Sequence, residues 1–220
     1  MNESYTEEIK PNKIAKGFFD IFEPIVFALI AVVIISLFVG RLTVVNGVSM
    51  ETTLHDREYI VISDLFLSYE PKEGDIVVVH GNFEGTYYDK PLVKRVIATE
   101  GQTVRIQFFE GNNKPACVYV DGELIENESA IYVGDLETYE YQYLGYYIDG
   151  TPLEHASPYY DYENKVYERT VDEGCLFLMG DNRYHSGDSR TNDVGCVPKK
   201  YVLGKAIFRL TPLRKMGILN

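Results

Sequence analysis

Cysteine is scarce in this chain: Cys117, Cys175 and Cys196 are the only three in 220 residues. An odd number with no Cys-x-x-Cys pair argues against a zinc site and leaves at least one thiol free. One disulfide is allowed if the domain lies outside a membrane, and spacing does not select its partners. Basic residues are also in the minority, with 21 Lys and Arg against 33 Asp and Glu, a formal net charge of −12. The deficit is local. Between Asp121 and Glu173 stand 14 acidic and 2 basic residues, an excess as large as that of the whole chain. Such a lobe repels phosphate backbones, which argues against nucleic acid as a partner and reads by default as a solvated surface. Histidine is limited to four. No G-x-S-x-G elbow accompanies His55 or His185, so a Ser-His-Asp triad has little support. No internal repeat, no low-complexity tract and no second long apolar run is present.

What is present fits one domain of ordinary size behind an apolar lead, with 45% hydrophobic and 25% charged residues. Ile25 to Gly40 is nearly all Val, Ile, Leu, Phe and Ala. With Phe18, Phe19, Ile21 and Phe22 before it and Leu42, Val44 and Val45 after, it reaches the ~20 residues that a membrane-spanning helix needs. Glu23 and Arg41 then fall near the two interfaces. The following Val39-Gly-Arg-Leu-Thr-Val44 lacks an Ala-x-Ala site, so an uncleaved anchor over 18–43 is expected, behind a polar tail, 1–17. Lys10, Lys13 and Lys16 ahead of the run give a weak positive-inside signal for a cytoplasmic N-terminus.

Beyond the anchor, short branched runs bounded by turns predict strands at Glu58–Ile62, Asp75–Val79, Pro91–Ala98, Thr103–Phe109, Glu173–Met179 and Tyr201–Arg209. Val118 to Ile125 reads as a hairpin turning at Asp121-Gly122. From Ile131 to Tyr167 the pattern loosens, and ten of the 18 tyrosines fall there. They read first as the packing of a small lobe short of aliphatic residues, and second as a recognition surface. The fold class expected is mostly β, an antiparallel sheet domain over 44–220 with a smaller lobe inserted at about 110–172, on one N-terminal transmembrane helix.

Three stretches carry the candidate chemistry: Val45 to Leu54, which contains Ser49; Val93-Lys94-Arg95-Val96-Ile97; and the polar loop Gly180-Asp-Asn-Arg-Tyr-His-Ser-Gly-Asp-Ser-Arg190. Gly47, beside Ser49, leaves room for another backbone to approach. A serine hydroxyl is a weak nucleophile without a base, and a lysine freed of its charge by apolar burial can be that base. By residues alone Ser49 reads first as a turn hydroxyl, and Lys94 as a solvent-facing charge on an alternating strand.

Taken together and in this order, the three stretches resemble the type I signal peptidases of bacteria, which are membrane-anchored Ser-Lys endoproteases. Gly180 to Arg190 carries the resemblance nearly residue for residue, and Gly74-Asp75 matches a further block. The resemblance implies that Ser49 is the nucleophile and its backbone N–H an oxyanion donor, with Lys94 as general base. It implies that Ser186 hydrogen-bonds the lysine, that Asp188 and Arg190 brace the loop, and that Asp181 and Arg95 are structural. It implies no metal and no cofactor, signal peptides of exported preproteins as substrate, cleavage after small residues, and a domain on the outer face of the cell membrane.

One position varies within the family and two stretches depart from its pattern. Gly47 stands where some members place a second oxyanion hydroxyl, as expected for a Gram-positive-like member. Thr52 replaces the usual proline, and Ala98 and Gly101-Gln102 replace Gly and Gly-Asp. The competing readings are a self-cleaving Ser-Lys repressor, which lacks a DNA-binding domain here, and an anchored homologue that binds signal peptides without cutting them.

Overall fold

The structure, a computed structural model, describes residues 13–38, 40–63, 69–83, 90–125, 130–145, 151–154 and 156–219, with side chains in the first segment from Asp20 to Val32. The chain divides into two compact units, Met1–Gly40 and Arg41–Asn220.

The first unit is a helix, α1 (Lys13–Phe38), with Pro24 inside it. The expected tail, 1–17, lies outside the described residues as far as residue 12. Ile21, Phe27 and Leu29 are 68%, 63% and 60% exposed, so α1 turns apolar side chains outward rather than into a core. Among the described residues no helix is long and apolar enough to cross a membrane; the described side chains include Asp20 and Glu23. The anchor expected over 18–43 is corrected at its far end. The last residues of the expected span are not helical. Arg41–Val44 form a strand, β1, because these alternating residues pair antiparallel with Tyr59–Ile62.

The second unit is built of strands. After β1 come β2 (Tyr59–Ser63), β3 (Ile76–Val79), β4 (Leu92–Thr99), β5 (Thr103–Gln107), β6 (Cys117–Val120) and β7 (Glu123–Leu124). A short helix, α2 (Leu136–Tyr139), runs on into a wider turn at Glu140–Leu144. Then follow β8 (Tyr160–Asp161), β9 (Val166–Thr170), β10 (Cys175–Met179), β11 (Val197–Pro198), β12 (Val202–Arg209) and β13 (Gly217–Ile218). The larger sheet has the order β1-β2-β12-β3-β4-β10-β11, with β13 beside β12, and the smaller one β7-β6-β5-β9-β8. The mostly antiparallel β class expected from the sequence is what forms.

All four residues of β3 are buried. Ile76 and Val78 join Val45, Met50, Leu54 and Ile60 on one face, while Val77 and Val79 join Val96, Leu176 and Leu178 on the other. Burial on both faces makes β3 an apolar run without polar alternation, each side chain contributing about 1.5–3 kcal/mol. The smaller sheet builds its core differently. Tyr139, Tyr160, Tyr167 and Tyr184 pack with Phe108 and Leu136, so tyrosine rings fill space that aliphatic residues usually fill. Between β6 and β7, Asp121 and Gly122 take φ of 51° and 87°, the left-handed pair that a two-residue hairpin turn requires. All three cysteines are free thiols.

Candidate active site

Ser49 sits in a turn between β1 and β2. Glu51 N donates to the Val48 carbonyl at 3.1 Å and Leu54 N to the Met50 carbonyl at 2.8 Å. Met50 and Leu54, 1% and 0% exposed, plug the turn into the core. Gly47 has φ 89°, and its N–H donates to Asp56 Oδ1 at 2.8 Å. Among the described residues no atom lies within 4 Å of where a Cβ would stand on Gly47, so the space beside it is open. The residue is glycine because of its backbone angle.

Lys94 comes from the middle of β4, opposite Val77 of β3. Strand alternation sends it to the side of Leu92 and Val96, and Arg95 to the opposite side. The lysine is 4% exposed, and its Nζ donates to Ser49 Oγ at 2.7 Å. Burial drives its pKa from 10.5 down to about 8, opposed by Asp188 and Asp181 and assisted by Arg190. Among the described residues, the partner of the Ser49 hydroxyl is therefore a lysine and not a histidine. His55 lies against Lys215 Nζ at 2.8 Å and Glu51 at 3.8 Å.

The loop Gly180–Arg190 leaves β10 and folds over both groups. A Cβ on Gly180 would stand 2.4 Å from the Ser49 carbonyl oxygen and 2.4 Å from Ser186 Oγ, so only glycine fits. Asn182 N donates to the Ser49 carbonyl at 3.0 Å and its side-chain amide to the Val48 carbonyl at 3.2 Å. Asp181 takes a fork from Arg95, at 2.9 and 2.8 Å, and a hydrogen bond from Thr53 at 2.5 Å. Burial pushes the Asp181 carboxyl up, but Arg95 and Thr53 hold it below its ordinary value. Ile131 of the lobe clamps the loop from behind, its N–H donating to Asp181 O and its carbonyl accepting from Arg183 N, both at 2.8 Å.

Ser186 donates to Asp188 Oδ2 at 2.6 Å. Among the described residues no hydrogen bond joins Ser186 to Lys94, so its hydroxyl meets the lysine's electrostatic partner instead of the lysine. Asp188 and Arg190, both 0% exposed, form a fork with both contacts at 2.7 Å. Burial again works against the Asp188 carboxylate, and Arg190 more than offsets it. Arg190 also donates to the Arg183 carbonyl at 2.7 Å and lies 4.8 Å over the Tyr139 ring. Arg183 is buried, with its Nε unpartnered among the described residues.

Ser49 and Lys94 open onto a cavity of about 560 Å³, which Gly47, Val48, Pro91, Leu92, Tyr143 and His185 also line. Three contributors escape a reading of sequence. Asn182 and Thr53 are ordinary polar residues until the turn and loop meet. Tyr143 comes from the acidic, Tyr-rich stretch and carries no signal of its own.

Comparison with known proteins gives the family of the chain. A family model described as signal peptidase, peptidase S26, matches residues 18–211, and the chain belongs to that family. A signal peptidase I of Bacillus licheniformis is 30% identical over 214 residues, 96% of this chain and 97% of the relative. Signal peptidase I T of Bacillus subtilis is 29% identical over 196 residues, 87% of this chain and 84% of the relative. A probable signal peptidase I-1 of Synechocystis is 28% identical over 198 residues, 88% and 82% of the two chains. A crystal structure of a signal peptidase I from Enterococcus faecalis covers 62% of this chain and 97% of its own, at 21% identity and a TM-score of 0.34, too low to bear on the fold. The chain is a serine peptidase, a hydrolase of peptide bonds.

Proposed function

We propose that this peptidase removes N-terminal signal peptides from exported preproteins, cutting after small residues by a Ser-Lys mechanism. The observation that carries it is the 2.7 Å contact between Lys94 Nζ and Ser49 Oγ, made by a lysine that burial has brought toward neutrality. Neutral Lys94 accepts the hydroxyl proton as Ser49 Oγ attacks the peptide carbonyl. The oxyanion that forms meets the Ser49 N–H, which no protein acceptor engages among the described residues. One such donor is worth ~10²–10³ in rate. The ammonium of Lys94 then returns the proton to the leaving amine, and water, deprotonated by the same lysine, releases the acyl group. Asp188, tied to Ser186 and Arg190, holds a fixed negative charge that steadies Lys94 while it carries the proton.

Attachment to the membrane with the catalytic unit outside is part of the same proposal. It is supported by the outward apolar side chains of α1 and by Lys13 and Lys16 near its start. Incubation of the purified chain with a synthetic preprotein tests the whole. Cleavage after a small residue by the native chain and none by Ser49→Ala is the expected result. Equal cleavage by both overturns it.

A further inference from the structure

We infer that Tyr143, from the lobe, is a specificity-determining wall of the peptide cleft, an inference that rests on the peptidase reading above. Tyr143 shares the 560 Å³ cavity with Val48, Ser49, Leu92 and Lys94, and is the lobe's contribution to that lining among the described residues. Its ring is braced from behind. It stacks on Tyr139 with centroids 5.2 Å apart and planes at 28°, and Tyr139 is 1% exposed. The Arg190 guanidinium, locked to Asp188, lies over Tyr139 in turn. A ring held this way loses little freedom when a peptide arrives, so its contact goes into binding rather than ordering. Tyrosine also suits an extended peptide, because it offers a flat apolar face to a side chain and a hydroxyl to a main-chain group. Burial and the nearby Asp188 raise the Tyr143 phenol above its ordinary pKa, which keeps it neutral wherever Lys94 works.

A purely architectural Tyr143, one more ring of the lobe's aromatic core, makes different predictions. The test uses the full chain as native protein, Tyr143→Ala and Tyr143→Phe. The substrates are synthetic signal-peptide ends carrying Ala or Leu in turn at the three positions before and the two after the scissile bond. Tyr143→Ala raises KM about five- to tenfold with kcat within about twofold, as truncation of a central aromatic contact does. It changes the Ala/Leu preference about fivefold at one position and leaves the others alone, while Tyr143→Phe keeps the native pattern. Unchanged KM and preferences overturn the inference, and so does a uniform fall in kcat that tracks a lowered Tm. If the native chain shows no Ser49-dependent cleavage, the peptidase reading fails separately. Fluorescence anisotropy with the labelled Ala peptide then decides: binding weakened about fivefold by Tyr143→Ala sustains the cleft wall, and equal or absent binding overturns it.

Discussion

Gly180 lies so close to Ser49 that a Cβ on it would stand 2.4 Å from the Ser49 carbonyl oxygen. The neighbour is backbone, already held by the Asn182 N–H at 3.0 Å, and cannot swing aside as a flexible side chain would. Gly180→Ala must therefore push the nucleophile's turn away from Lys94. A misplacement of this size is expected to lower kcat/KM about 10²-fold and stability by about 1–3 kcal/mol, read by peptide cleavage and urea unfolding. Gly47→Ala meets open space and should cost only the left-handed backbone, about 1–2 kcal/mol.

Asp188 and Arg190 stand in the opposite situation, an ion pair with both partners fully buried. Asp188→Asn leaves the guanidinium without its counter-charge and should destabilise the chain by about 3–5 kcal/mol, seen as a fall in Tm. Ser186→Ala removes one hydrogen bond to that carboxylate and should lose about 1.5–3 kcal/mol, with activity weakened rather than abolished. The acid side follows from the same pair. The folded Asp188 carboxyl lies below its unfolded value, so its contribution is present above pH ~4 and lost as pH falls through the lower, folded value. Native chain should thus show a steeper loss of Tm below pH 4 than Asp188→Asn.

The boundary at Gly40 sets a third expectation. Removal of residues 1–40 keeps β1, whose four residues pair with β2. This form should fold and cleave short peptides, while losing rate on membrane-bound preprotein. Removal of three residues more, through Thr43, strips β1 and bares the edge of β2. That form should melt about 5 °C lower and aggregate on concentration, checked by calorimetry and light scattering.

Much of this was legible in the sequence, and the rest was hidden for physical reasons. The branched runs at Asp75–Val79 and Pro91–Ala98 announce β3 and β4, and Asp121-Gly122 announces its hairpin. β1 was hidden because Leu42 and Val44 continue the apolar run of α1 without a break in composition. β9 was hidden because Tyr167 is buried among tyrosines while Glu168 beside it is exposed, a pattern drowned by acidic neighbours. In the site, residue types were legible, and so were the meetings of Lys94 with Ser49 and of Asp188 with Arg190, but other pairings were not. Ser186 turns to Asp188, and Thr53 reaches Asp181 across 128 residues. Such contacts depend on the path of the chain, which no local pattern encodes.

Lys94 gives the last expectation, and here the direction of each effect can be worked out. Burial lowers its pKa from 10.5 to about 8. If it is the base, only the neutral form works, so kcat/KM should climb about tenfold per pH unit below pH 8 and level off above it. Stability moves the same way. Between pH 8 and 10.5 the unfolded chain binds a proton that the folded chain does not, so stability rises with pH there, and below pH 8 the full cost of burying the charge stands. Lys94→Met removes that cost. It should be inactive, yet more stable than native by about 1–3 kcal/mol at pH 7, with the gain shrinking as pH approaches 10.5. Lys94→Arg keeps the charge at every pH and should be both inactive and less stable. Cleavage rates from pH 6 to 9 and unfolding curves at pH 7 and 10 measure these differences. Native-like cleavage by Lys94→Arg, or a flat rate profile in the native chain, would remove Lys94 from the mechanism.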